Sequence, residues 1–277
     1  MVVNSGNRPM VNGTLNEFPV VFDVHSNADF YMQISHKAAD SARIEDRIHI
    51  DSFGISSPGQ VSSLGRDSAF VNTLTVGKAT FVRAPASVFE TPSDYNHGML
   101  GLRWLTGNHA VVDFAKNNVI INPTKSSSQA RREALLASGY VAIPMQRSAK
   151  DDRYYILVTL NGVTQPMVVS TVASNTLDTE FAKRAKIKSI ATGETYGGPT
   201  GTTGQVYEVN QPVRLQVGAA SLLIKQAIVE DIYAYSAMKR EKKQADQTAG
   251  MLAADFLITN GAVVDFGAKT LFVKPGK

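Results

Sequence analysis

The chain has 277 residues, of which 43% are hydrophobic and 19% charged, with a formal charge of +4 and a pI near 9.2. Those proportions are ordinary for a chain that folds around its own core, and basicity this mild and dispersed gives no nucleic-acid footprint. The complete absence of cysteine excludes disulfides, thiol catalysis and cysteine-ligated metal centres.

Met1 to Asn12 lacks the basic start and apolar core of a signal peptide, and the sequence does not fix a compartment. No apolar run approaches the roughly 20 residues that a membrane-spanning helix requires. In chain order, Asn12-Gly13 precedes an apolar strand, Pro19-Val20-Val21-Phe22, that ends on Asp23. Residues 51–65, rich in Gly and Ser, read as a hairpin. Leu74-Thr75-Val76-Gly77 and Gly98-Met99-Leu100-Gly101 follow, then Ala110-Val111-Val112-Asp113-Phe114 and Pro123.

Lys125-Ser126-Ser127-Ser128 opens a linker, set at 124–145, in which Gln129 to Ala137 predicts a short helix. Beyond it the motifs return. Gly250-Met251-Leu252 and Ala262-Val263-Val264-Asp265-Phe266 repeat the earlier motifs at an offset of 152 residues. Leu215-Gln216-Val217-Gly218 repeats at 141, and Pro166 to Ser170 aligns with Pro19 to Asp23 at 147. Offsets that change only between blocks are what loop insertions produce. The expectation is two copies of one lobe, residues 1–123 and 146–277, related by pseudo-twofold symmetry. Short β-branched runs such as Arg153 to Leu160, Val213 to Val217 and Leu271 to Val273 predict an all-β fold with few short helices. Helical signals are confined to Glu180 to Lys186, the turn after each Gly-Met-Leu, and a polar insertion from Tyr233 to Thr248.

This order, an apolar strand ending at an acid, a small-residue turn, a short helix, a hairpin, Leu-x-Val-Gly and then Gly-Met-Leu, resembles the bacterial retropepsin-like aspartic proteases. The closing motif is well kept, above all in Asp255-Phe256-Leu257 and Val263-Val264-Asp265-Phe266. The resemblance implies two tandem β-barrel lobes with an active site between them. At the place of the family's Asp-Thr-Gly it puts Asp23-Val24-His25 in the first copy and Ser170-Thr171-Val172 in the second. One catalytic acid of two then remains, Asp23, with Ser170 at the degenerate position. Aspartic proteases need two carboxylates close enough that only one ionises, so the implied site is catalytically impaired. The resemblance further implies substrate contacts from His25, Thr171 and Val172, and from the flap glycines Gly54 and Gly193 in hairpins at 51–65 and 191–204.

The leading reading is a single-chain, monomeric protease-like protein that binds a peptide or protein segment in the inter-lobe cleft, with no cofactor, metal or nucleic acid. An active aspartic endopeptidase relying on Asp23, and a structural protein with a vestigial cleft, stand as alternatives. The five histidines, at 25, 36, 49, 97 and 109, have no metal-ligand spacing. Asp29, Asp113, Asp255 and Asp265 read as structural or solvated, and the basic run Lys239 to Lys243 reads as a solvated face.

Overall fold

A computed structural model describes residues 1–4, 6–50, 66–89, 98–197, 203–234, 240, 243 and 247–275. The hairpin at 51–65 with Gly54, and most of the insertion from Tyr233 to Thr248, lie outside them. The described chain is mostly β, arranged in three sheets.

In the first sheet, Pro9–Leu15, Phe18–Val24, Gly98–Leu100, Met32–Ser35, Ala79–Phe89 and Arg66–Val76 are neighbours in that order. The last pairs back onto the first, closing a barrel. Alternation explains what fills it: Val20, Phe22 and Val24 take one face of their strand and are buried with Leu15, Ile34, Leu74, Val88 and Leu100. Ser35 caps the helix His36–Ser41 by accepting the Ala38 N–H.

The second sheet has ten strands. Its Val163–Val169 strand pairs antiparallel with Tyr154–Leu160 and parallel with Gly250–Leu252, as Phe18–Val24 pairs with Pro9–Leu15 and Gly98–Leu100. Asp178 caps the helix Thr179–Arg184 through the Glu180 and Phe181 N–H groups.

These registers correct one sequence alignment. Leu15 faces Phe18 and Leu160 faces Val163 across their turns, and Val24 faces Leu100 as Val169 faces Leu252. The two hairpins therefore correspond at an offset of 145, not 147. Asn16 and Asn161 agree, each closing its turn by donating Nδ2 to the carbonyl after the following helix, Ala42 or Ala185. A slip of two residues leaves every side chain on its original face, so the apolar pattern of the strand fits either offset. The offset of 141 does match the pairing, since Thr14 faces Thr75 and Thr159 faces Gln216.

The third sheet joins the two halves of the chain. Val111–Asp113 runs antiparallel to Val263–Asp265 with Val112 opposite Val264, so the pairing is centred on two residues related by the 152 offset. The Phe114 N–H bonds the Ala262 carbonyl and the Phe266 N–H bonds the Ala110 carbonyl, both at 2.9 Å. The connecting segment is part of this sheet. Thr124 caps a helix at Lys125–Ala137, longer at its start than the expected Gln129 to Ala137, and Val141–Pro144 then pairs with Thr270–Val273. Gly98 and Gly250 mark tight crossings: a Cβ on either would run into the carbonyl oxygen of Gln33 or Thr176.

Candidate functional site where two loops meet

The strands Phe18–Val24 and Val163–Val169 each deliver a loop to a shared point, and four hydrogen bonds close it. Thr171 Oγ1 donates to the Val24 carbonyl at 2.6 Å and accepts the Ser26 N–H at 2.9 Å. In return Ser26 Oγ donates to the Val169 carbonyl at 3.3 Å and accepts the Thr171 N–H at 2.9 Å. Both side chains are buried, so each loop satisfies polar groups that the other would otherwise leave stranded.

The residues preceding this exchange are His25 and Ser170. The His25 N–H bonds the Leu100 carbonyl at 2.8 Å and the Ser170 N–H bonds the Leu252 carbonyl at 3.0 Å. His25, not Asp23, therefore occupies the place in the first loop that Ser170 occupies in the second. Its half-buried ring lies 5.7 Å from that of Phe30. The Nδ1 atom has no hydrogen-bond partner among the described residues. Burial, and after it the charge of Arg8, pull the His25 pKa down to about 4 against the opposing effect of a backbone hydrogen bond. The imidazole is neutral at pH 7 and offers a single N–H donor.

Ser170 is fully buried and turned into its own loop, donating Oγ to the Val172 carbonyl at 2.7 Å and accepting the Val172 N–H at 3.3 Å. Asp23 lies two positions earlier, fully buried, its carboxylate 3.1 Å from Arg8 Nη1. Met10 faces Asp23 in the strand register, and Arg8, just before that strand, is near enough for its charge to act on His25. Thr171 and Val172, expected to touch a ligand, are buried; the hydroxyl and N–H of Thr171 are used on the opposite loop. Gly193 has a φ of +80° within the Ser189–Gly197 strand, at a register shift between Ala191 and Thr195. This is the left-handed conformation that glycine adopts without strain.

A second group crosses between the loops. Buried Arg153 donates Nη1 to Asn27 Oδ1 at 3.1 Å and Nη2 to Asp151 at 2.7 Å, while the Tyr155 hydroxyl donates to Asp151 at 2.6 Å. Burial works against ionisation of Asp151, but Arg153 and the Tyr155 hydrogen bond hold its carboxyl below the usual range. Asn27 Nδ2 in turn lies 3.3 Å from Met251 Sδ. Of the other acids read as structural or solvated, one pairs with an arginine and three accept backbone N–H groups. Asp29 pairs with Arg103 at 2.6 Å. Asp255 accepts the Asn175 N–H at 3.0 Å, and burial raises its pKa. Asp113 and Asp265 accept the N–H groups of Lys116 and Ala268. Within the run read as a solvated face, Arg240 is instead anchored, gripping buried Asp178 at 2.9 and 3.1 Å and reaching Asp231 at 2.7 Å. Among the described residues no group of three metal-ligating side chains gathers, and no helix is long and apolar enough to cross a membrane.

Sequence reasoning passed over Ser26, Asn27, Arg8 and Arg153. One signal was available: at an offset of 145, His25-Ser26-Asn27-Ala28 aligns with Ser170-Thr171-Val172-Ala173, matching the alanine and pairing serine with threonine.

No family model and no curated sequence matches the chain. Among solved structures it is similar to a retropepsin-like aspartic protease from Rickettsia conorii, with 15% identity and a TM-score of 0.31 over 38% of this chain and 75% of that one. It is also similar to the retroviral protease-like domain of Ddi1 from Leishmania major, with 14% identity and a TM-score of 0.32 over 42% of this chain and 90% of that one.

Proposed function

We propose that the chain is a fusion of two copies of one aspartic-protease-like lobe, residues 1–123 and 146–277, joined through 124–145 and related by a pseudo-twofold axis. In this reading it is a monomer that has lost proteolysis and holds an extended peptide or protein segment between the lobes. The duplication is supported by the corresponding residues that face each other at Val112 and Val264 and exchange hydrogen bonds at Ser26 and Thr171.

The observation that carries the loss of proteolysis is the identity of the two corresponding loop residues, His25 and Ser170. Peptide hydrolysis by this architecture needs two carboxylates that share a proton and activate one water. A neutral imidazole and a serine hydroxyl closed onto Val172 supply neither the shared proton nor the negative charge. Asp23 does not replace them, because its carboxylate is buried against Arg8. The binding part of the reading rests on two loops fixed to one another, beside which an extended segment would make main-chain hydrogen bonds.

The test is digestion of a diverse peptide library between about pH 3 and pH 7, read by mass spectrometry, with wild type, Asp23→Asn and the double variant His25→Asp/Ser170→Asp. Wild type is expected to leave the library intact, since general acid–base assistance worth roughly 100- to 10,000-fold is missing. The double variant, with both carboxylates restored, is the one expected to cleave if any does. Cleavage by wild type that disappears in Asp23→Asn would overturn the reading and establish a peptidase working with one acid.

A further inference from the structure

Charge is distributed unevenly beside the two loops. In the pairs Arg8–Asp23 and Arg103–Asp29 the guanidinium side chains are 45% and 62% exposed, the aspartates 0% and 18%. Each pair thus turns its cation outward and its anion inward. Arg8 uses one Nη1 contact on Asp23, and its side chain makes no other hydrogen bond among the described residues. An arginine has five N–H donors in a planar fork, so most of its donor capacity stays open. His25, close enough for the charge of Arg8 to act on it, brings a neutral N–H donor and no negative charge.

We infer that the floor beside His25 and Arg8 is a carboxylate-binding site, and that the segment held between the lobes carries an Asp or Glu side chain, or its own C-terminal carboxylate, at that point. This rests on the peptide-binding reading above and gives it a chemical class. A site with two catalytic carboxylates repels an acidic group at its centre. Here neither loop position holds a carboxylate, and Asp23 is fully buried with Arg8 against it. An incoming carboxylate would take the free edge of the Arg8 fork by charge-assisted hydrogen bonds. A lysine-bearing segment would meet the outward-facing guanidinium of Arg8 and a neutral ring.

The experiment uses the full chain and three fluorescein-labelled octapeptides of alternating valine and threonine that differ at one central position, Glu, Gln or Lys. Fluorescence anisotropy should rank them Glu above Gln above Lys, with a preference of about tenfold for Glu over Gln that fades as salt is raised. Arg8→Gln alone strands the buried Asp23 carboxylate and threatens the fold, so the informative variant is Arg8→Gln/Asp23→Asn, which removes both charges. That variant should bind the Gln peptide as wild type does and lose the Glu preference. Equal binding of the Glu and Gln peptides overturns the carboxylate site while leaving the peptide cleft in place. A Glu preference that survives in the double variant overturns the assignment to Arg8. Failure of all three peptides to bind overturns the peptide reading, and this inference with it.

Discussion

At the scale of single residues, what distinguishes the loop junction is how little charge it carries. His25 is kept neutral by burial and by Arg8, with a pKa of about 4 in the fold against an ordinary histidine value of 6.5. The sign of the consequence follows directly. Between about pH 6.5 and pH 4 the unfolded chain takes up a proton at this position and the folded chain does not, so acidification through that window favours unfolding. Below pH 4 both states are protonated and the effect levels off. The loss expected across the window is on the order of 2 kcal/mol. Urea midpoints measured from pH 7 to pH 4 should therefore fall less steeply in His25→Gln than in wild type. Equal slopes would mean that the ring is hydrated in solution and titrates normally.

At the scale of elements, the junction depends on reciprocity between two loops. Thr171 carries three of its contacts: hydroxyl to Val24, hydroxyl from Ser26 and N–H to Ser26. Thr171→Val keeps the shape and the N–H but leaves the Val24 carbonyl and the Ser26 N–H buried without partners, a cost of about 1–3 kcal/mol per stranded group. Chemical denaturation should show a loss in that range for Thr171→Val and near recovery in Thr171→Ser, which restores the hydroxyl. If the two variants unfold at the same midpoint, the hydroxyl holds nothing. The elements themselves were legible in the sequence, because alternation of Val20, Phe22 and Val24, the capping residues Ser35 and Asp178, and the repeated Gly-Met-Leu are local signals. The register of the first loop was not. Strand periodicity is two, so Asp23 and His25 point to the same side, and an acid at a strand end drew the alignment two residues early. The hydrogen bonds of His25 and Ser170 to Leu100 and Leu252 decide it, and no window of sequence contains both partners.

At the scale of the whole molecule, each half of the chain buries surfaces against the other half. Val111 and Val112 are fully buried in the shared sheet, with Val264 and its neighbours as their partners across the strand. An isolated first half, residues 1–123, would expose that strand as an unpaired apolar edge, the kind of edge that recruits another chain. It would also leave the Ser26 hydroxyl without Val169 and the Thr171 N–H. A second copy of the same half is the natural substitute, since pairing about Val112 needs only another Val112 in the place of Val264, and Ser26 can stand where Thr171 stood. Sedimentation of the fragment 1–123 should accordingly give a dimer at micromolar concentration or an insoluble product. Addition of the fragment 124–277 should convert it to a one-to-one complex, because the native partner restores the threonine and the strand Val141–Pro144 at the sheet's edge. A stable, monomeric 1–123 would show that the lobe closes on itself, and that the shared sheet joins two finished domains instead of completing them.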